Sequence, residues 1–551
     1  LIALAIVPIA SAAEPYRQSL SSVRDNLRVP SMEVHGRSVT PASPNWSVTK
    51  STLHGGKQEG VEVITVDNGT LRFTVIPTRG MSIHRVEHSK LRLAWNSPVK
   101  EIVHPAFVNL YGRGGLGWLE GFNEWMVRCG LESNGHPGTD RIPKDDGSEA
   151  TLDLTLHGKI GNIPASEVEL VIDQTPPHRI RVRGRVDERM FYGPQLELQT
   201  EISTEPGSTS FRISDTITNR GGAPQEFEIL YHGNYGSPLL EAGAKFAAPV
   251  AKVIPFNDHA AASVQSYDTF AGPTQGFAEQ VYCMIPIADQ NGQTETLLHN
   301  KAGDRGISMR FAPKELPYLT LWKNTAADGE GYVTGIEPGT NFPNNRRIER
   351  KLGRVPKLAP GATHSATLDF TLLTDATEVA SARSRMSHAP RIVAVGEILW
   401  DLLPEGEQPG GAPANFAHHA HALGNTVHLI SRVGDDPRGE RLLKHLDCNG
   451  IDTTLVQVDP DAPTGTVSVT IRDHGQPSYV IHELVAWDRI KTDPKNLSAV
   501  SQCDTICFGS LAQRDPRSRS AILQLLKAAP PGSKRVFDAN LRQHFHSDEI
   551  L

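Results

Sequence analysis

"VEVITVDNGTLRFTVIP", residues 61–77, decides the fold of more than half of the chain. Val61, Val63 and Thr65 alternate with their neighbours, Asp67-Asn68-Gly69 breaks the run, and Leu71, Phe73 and Val75 resume it. Period two on both sides of a Gly-containing turn predicts a β-hairpin with one buried face. "TLDLTLHG", "RIRVRGRV" and "TSFRISDTITN" carry the rhythm to about residue 370, with little helical periodicity between them. Many short strands punctuated by Gly and Pro predict an all-β sandwich over residues 14–372.

Residue 373 opens a different texture. "LTDATEVASARSRMSHAP", residues 373–390, is small, polar and without an apolar period, and reads as a linker. "RIVAVGEILWDLL" is then a near-continuous apolar run, as in a strand buried on both faces. Residues 413–423 predict a helix with Pro413 at its start, Gly424 at its end, and Phe416, Ala420 and Leu423 on one face. "TVHLISRVG", "DPRGERLLKHLDCNG", "DTICFGS", "RSAILQLLKAA" and "RVFDANL" continue the beat of strand and helix. Alternation of this kind predicts an α/β unit with a largely parallel sheet over residues 391–551.

Composition narrows the function. The chain has 551 residues and a net charge of −7, so no basic excess draws it to a nucleic-acid backbone. Cys129, Cys283, Cys448, Cys503 and Cys507 are odd in number and without zinc-ligand spacing, which argues against a disulfide framework and a zinc site. "LIALAIVPIASAAEPY" opens with an apolar run too short to span a bilayer, followed by Ala10-Ser11-Ala12. Residues 1–13 therefore read as the rear of a secretory signal peptide, with the start of the protein missing.

"PGGAPANFAHHAHALG", residues 409–424, carries the chemistry of the second half. It lacks the Lys of a phosphate-binding loop and the Gly-x-Gly-x-x-Gly of a dinucleotide fingerprint. Of His418, His419 and His421, only His418 and His421 have the spacing that shares a helix face, and no third ligand is near, so they read as surface residues. A neutral polyol site remains. Gly410 and Gly411 let backbone N–H groups approach hydroxyls, Asn415 offers a donor and an acceptor, and Asp401, read as ending the first strand, accepts hydroxyl protons.

On "VGEILWDLLPEGEQPGGAPANFAHHAHALG", "SRVGDDPRGERLLKHL" and "VFDANLRQ", residues 391–551 resemble the PfkB, or ribokinase-like, family of carbohydrate kinases, in a fructokinase-like form. The resemblance implies that Asp401, Gly410, Gly411 and Asn415 bind the sugar, with Asp538, Asn540 and Arg542 near the sugar and phosphate path. It also implies that "DLLPEGEQ" and "GTVSVTIRDHGQPSYVIHE" form a β lid, and that ATP and Mg2+ serve the complete enzyme. The family's Asp-Thr-x-Gly-Ala-Gly-Asp segment, which supplies base and anion hole, and its Asn-x-x-Glu motif for Mg2+ are absent from these 551 residues. Phosphoryl transfer rests on positioning and charge stabilisation, so the expectation is an incomplete, inactive kinase domain.

The first half resembles the galactose mutarotase (aldose 1-epimerase) superfamily, in its DUF4432-type branch. The resemblance is carried by "IPTRGMSIHRV", "WNSP", "RCGLESNGHPG", "LHGKIGN", "YHGNYGSPLL" and "GYVTGIEPGTNFP". It implies Glu337 as base, His232 as acid and His157 as a further polar contact, with Arg79 and Asn234 anchoring hydroxyls and no cofactor. Glu337 stands in Glu-Pro-Gly where the superfamily's base stands in Glu-Pro-Gln. The two histidines also read as core histidines on strands, and a cupin-style metal site of His157, His232 and Glu337 is a third reading, disfavoured because this half has no His-x-His pair. Residues 105–138, "PAFVNLYGRGGLGWLEGFNEWMVRCGLESNGHPG", form a loop long enough to be functional. In it Trp118, Phe122 and Trp125 either stack on sugar faces or pack the loop onto the sandwich.

The halves disagree on compartment: a signal peptide points to secretion or the periplasm, a kinase to cytoplasmic ATP. Met386 stands where a separate kinase would start, which predicts two joined coding units; the alternative is a cytoplasmic fusion. Two function classes follow. One is a sugar kinase fused to an epimerase-like domain. The other is a non-catalytic or secreted carbohydrate-binding protein joined to a kinase fragment. Both take small-molecule sugars as partners.

Overall fold

The computed structural model describes residues 14–551, save 42, 90, 144–147, 290, 387–390, 424 and 472–476. The signal-like residues 1–13 and part of the lid segment, 472–476, lie outside the described residues, as does Gly424. No helix among the described residues is long and apolar enough to cross a membrane. The chain divides into two compact units, Leu1–Met386 and Ser387–Leu551.

Two large antiparallel sheets, of ten and twelve strands, make the first unit a β-sandwich. Phe73, Ile83, Tyr231 and Ile336 of the twelve-stranded sheet share one core with Leu170, Val182, Ile213 and Phe370 of the ten-stranded one. The hairpin of residues 61–77 forms from strands Glu62–Asp67 and Arg72–Ile76, with Gly69 at φ 90° in its turn. Its register corrects the expected face. Ile64 pairs with Val75 and Val66 with Phe73 toward the inter-sheet core. Val61 and Val63 pack instead with Ile76 and Ile102. Both faces of this sheet are covered, so polarity alone could not tell which side was the core.

The expected linker is corrected in part. Ala376–Met386 is a helix, started by Asp375, whose side chain accepts from the backbone N–H groups of Thr377 and Glu378 at 2.8 and 2.9 Å. Val379, Ala382 and Met386 pack on Leu297 and Leu373, and Arg385 pairs with Glu295. Three apolar residues at helical spacing are too few to stand out in a small, polar stretch, yet enough to hold a helix against a sheet. Met386, read as a start, is a packed side chain of this helix.

The second unit has a five-stranded parallel sheet, in which strand Arg391–Val395 lies between Thr426–Gly434 and Thr505–Gly509. The run 391–403 is two strands rather than one. At Gly396, φ 149°, the chain leaves the parallel sheet, and Leu399–Leu403 joins a separate four-stranded sheet with Gly406–Gly410, Gly465–Ile471 and Pro477–Ile481. Asp401 therefore sits in this small sheet and not at the end of the first parallel strand. The helix spans Ala412–Ala422; Ala414, Ala417 and Ala420 form its buried face, while Leu423 is exposed.

Candidate functional site

Strands Tyr318–Asn324, Val333–Gly339 and Glu228–Tyr235 each show two faces. Leu319, Leu321, Ile336 and Tyr231 point into the inter-sheet core. Period two then sends Thr320, Trp322, Glu337 and His232 to the opposite face, where they line a pocket of about 410 Å3. Residues 105–125 roof it: Trp118 and Phe122 pack with Trp95, Leu156 and Leu230. Trp125, the third aromatic of that loop, is not in the pocket. It lies in the inter-sheet core against Phe211, Tyr235 and Phe370, 5.2–5.9 Å between ring centres.

His157, His232 and Glu337 come together here. His232 Nε2 lies 3.2 Å from Glu337 Oε1, and the rings of His157 and His232 meet edge to face at 5.1 Å. Gly335 makes this possible: a Cβ there would stand 2.1 Å from Glu337 Oε1 and 3.2 Å from Trp322 Cε3. His232 is a strand residue, as expected. His157 is not; it occupies a tight turn with φ 57°, and its Nδ1–H donates to the Asn134 carbonyl at 2.9 Å. In the neutral ring that bond leaves Nε2 as the acceptor.

Burial sets the charge state. It pushes the Glu337 carboxyl well above the usual carboxylate range, and the charge of Glu279 adds to the effect. His232 is held well below the usual imidazole range by burial and by His157. His157 is pushed down to about 4, again chiefly by burial. Both shifts favour the uncharged forms, carboxylic acid and neutral imidazole, of two groups that face each other across 3.2 Å. Four buried polar atoms around the pocket, Glu337 Oε1, His232 Nδ1, Thr320 Oγ1 and Trp118 Nε1, have no hydrogen-bond partner. Buried polar groups are almost always paired, and the hydroxyls of water or of a bound polar ligand can supply the partners that these atoms lack.

Arg79 and Asn234, expected to anchor hydroxyls, are outside the pocket. Arg79 is fully buried and ion-paired with Glu124 at 2.7 Å, and it donates to the Val103 carbonyl at 2.9 Å. Asn234 Nδ2 donates to the Glu124 carbonyl at 3.0 Å, beside the bond from Trp95 Nε1 at 3.1 Å. Both residues fasten the end of the roof loop to the sheet. The sequence reading also missed a positioning network. Glu228 accepts from Asn134 N and Asn341 Nδ2, both at 2.9 Å, and Asn134 Nδ2 donates to Asn341 Oδ1 at 3.0 Å. It joins the motifs "RCGLESNG" and "GIEPGTN" and holds the carbonyl on which His157 rests. Trp322 and Glu279 were missed too, although the parity of Trp322 with Thr320 on one strand was a readable signal.

In the second unit, Gly410 and Asn415 line a pocket of about 300 Å3 with His418 and His445. Asp401 Oδ2 would stand 2.5 Å from a Cβ on Gly410, and Arg542 is close enough to act on the Asp401 carboxyl, which burial raises. Gly411, φ 112°, lies against the Glu397 backbone. Glu397, unanticipated, is buried, pushed up to about 7 chiefly by burial, and accepts from Ala412 N at 3.3 Å. Asp538 ends strand Lys534–Asp538 and acts on Glu397, while the Asn540 carbonyl accepts from Ser510 Oγ at 3.0 Å. Among the described residues no group of three or more His, Cys, Asp or Glu is placed to hold a metal ion.

Residues 58–372 match the family described as Domain of unknown function (DUF4432). Residues 405–551 match the pfkB family carbohydrate kinase. A crystal structure from Klebsiella pneumoniae subsp. pneumoniae MGH 78578, provisionally described as an aldose 1-epimerase, is 43% identical with a TM-score of 0.64. It covers 68% of this chain and 95% of its own. A provisionally described sugar kinase of Pyrococcus horikoshii is 33% identical over 162 residues, 27% of this chain and 52% of its own. Fructokinase of Vibrio alginolyticus is 31% identical over 160 residues, 28% of this chain and 52% of its own. The chain spans about half the length of these curated relatives.

Proposed function

The chain belongs to the DUF4432 family, and from that membership we propose that its sandwich interconverts the anomers of a free sugar, with Glu337 as base and His232 as acid. The observation that carries this reading is the buried Glu337–His232 pair, 3.2 Å apart and short of partners in an aromatic pocket. The pair owns one proton. Moved from Glu337 to His232, it gives carboxylate and imidazolium. Glu337 then takes the proton of the anomeric hydroxyl while His232 gives its own to the ring oxygen, and the C1–O5 bond breaks. Rotation about C1–C2 and the reverse transfers close the ring on the other face and return the pair to its start. Aromatic faces against the sugar's C–H surface and the partnerless atoms against its hydroxyls supply orientation. Polarimetry tests it: the protein speeds the equilibration of a pure anomer, and Glu337→Gln, which keeps the shape, does not. Binding without acceleration in the parent protein would leave a carbohydrate-binding domain.

A second reading belongs to the second unit. Its match to the pfkB carbohydrate kinases supports sugar binding at Asp401, Gly410 and Asn415. The Asp-Thr-x-Gly-Ala-Gly-Asp and Asn-x-x-Glu segments are absent from these residues. Within the 551 residues this unit therefore binds a sugar without phosphorylating it.

A further inference from the structure

The sandwich pocket carries a charge pattern that the anomer reaction does not require. Among the described residues its lining includes three carboxyl side chains, Glu337 at the base with Glu279 and Glu330, and no lysine or arginine. Four cations of this unit are engaged elsewhere. Arg79 is paired with Glu124, Lys159 with Glu132 and Arg354 with Glu349. Lys323 donates to the carbonyls of Ser266 and Thr269. Trp95, Trp118, Phe122 and Trp322 add their ring faces, which carry negative quadrupole charge. Glu279 is fixed in this setting, since its Oε2 accepts from Trp322 Nε1 at 2.7 Å.

A ligand entering this pocket meets the exposed carboxylates of Glu279 and Glu330 as well as the buried Glu337 and the aromatic lining. A phosphate or carboxylate on the sugar would find no cation to pair with. An ammonium group would find a ring of aromatic faces and carboxyl oxygens, one of them, Glu337 Oε1, without a partner. We propose that this pocket sorts sugars by charge, taking an aminodeoxy aldose ahead of its neutral parent and excluding phosphorylated and carboxylated sugars. The inference rests on the sugar-pocket reading above and names the substrate class for it. It also sets an order of reactions: a sugar that has passed through a kinase no longer fits, so the sandwich works on the sugar before any phosphorylation.

The neighbours of Glu337 fit an ammonium guest. It faces His232 and His157, both held neutral by burial, Thr320 from the adjacent strand, the Cys129 thiol and the Glu279 carboxylate. Of these, only Glu279 brings charge, and it opposes ionisation of Glu337. A cation held between the two carboxyls relieves that opposition, so an amine ligand releases a proton from Glu337 as it binds.

The test is calorimetry on the full chain in an Asp401→Ala background, which weakens sugar binding by the second unit, with the Asp401→Ala, Glu337→Gln double variant as the reference that isolates the sandwich pocket. The probes are glucose, galactose and mannose, each as the neutral aldose, the 2-amino-2-deoxy aldose, the 6-phosphate and the uronate. The expected result is an amino form at least about tenfold tighter than its parent, with heats that vary with buffer as a proton is released, and anionic forms at least about tenfold weaker. Glu279→Gln then narrows the gap between amino and neutral forms. Equal affinities across the charge series, or tightest binding by a phosphate or uronate, overturn the charge inference and leave the sugar pocket standing. Saturable binding by none of the twelve compounds removes the pocket reading and this inference with it.

Discussion

The two regions that gather polar groups around a pocket do it in opposite ways. In the sandwich, His232 and Glu337 are almost fully buried, their wall is a sheet packed on both faces, and burial moves their proton affinities far from those of free side chains. Beside Gly410, Asp401 and Asn415 remain partly exposed on a small sheet and a helix start, and burial raises Asp401 with Arg542 opposing it. The first arrangement holds a carboxyl and an imidazole face to face out of water. The second leaves a carboxyl and an amide within reach of solvent. Chemistry is read from burial and partnering around a group, not from the group's presence in a motif.

The widest gap between the regions should appear in phosphoryl transfer. A polypeptide of these 551 residues gives no sugar-dependent ADP release, and one extended through an Asp-Thr-x-Gly-Ala-Gly-Asp segment does. In the extended protein, Asp401→Ala weakens sugar binding by about tenfold or more, as loss of a charged hydrogen-bond partner should. Turnover by the 551-residue chain itself would place the catalytic groups in residues not assigned here.

Next in size, Glu337→Ala lowers the anomer interconversion rate by about a hundredfold to ten-thousandfold, the range for one positioned acid or base. Polarimetry reads this directly, and a rate within twofold of the parent would reduce the sandwich to a binder. Smaller in consequence for the site but large for the fold, Arg79→Met leaves Glu124 buried without its counter-charge and costs about 3–5 kcal/mol of stability. A denaturant midpoint unchanged from the parent would return Arg79 to the ligand contacts. The equivalent loss at Asp401, in the partly exposed cluster, should barely move the midpoint.

The smallest effect is a flatness. One proton on the Glu337–His232 pair is the working state. The pair gains a second proton only when pH falls through the lowered imidazole value, and the base is then lost. It surrenders its proton only when pH rises through the raised carboxyl value, and the acid is then lost. The interconversion rate should therefore hold level across the neutral range and fall only beyond both limits. A peak confined between the ordinary values of 4.5 and 6.5 would mean the pair is solvated and untuned.

Much of this was legible because period two is a strong signal. The strands, the sandwich and the parallel α/β unit follow from alternation and turns, and the motifs held His157, His232 and Glu337. Parity was harder. Val63 and Ile64 are both apolar, and only the register with Val75 shows that Ile64 faces the core. Arg79 and Asn234 were misread because a buried Arg satisfied by a carboxylate looks, in sequence, like one waiting for a ligand. The Glu228–Asn134–Asn341 network spans about two hundred residues of chain, a separation at which local patterning carries nothing. The helix Ala376–Met386 was lost because its apolar stripe is only three residues wide.

The two-faced wall of the sandwich pocket has a consequence for how the protein can vary. Tyr231 precedes His232, Ile336 precedes Glu337, and Leu319 and Leu321 flank Thr320. Each pocket side chain thus has a core side chain for its nearest neighbour, fixed in the other layer. Repacking the interior by a methylene tilts the strand and shifts the pocket residue beyond it, though no residue of the pocket lining has changed. Substrate preference in such a protein is open to inheritance through its hidden layer: relatives with identical pocket residues can diverge in what they accept, and a library built on Leu319, Leu321 and Ile336 explores specificities that one built on the visible lining does not reach.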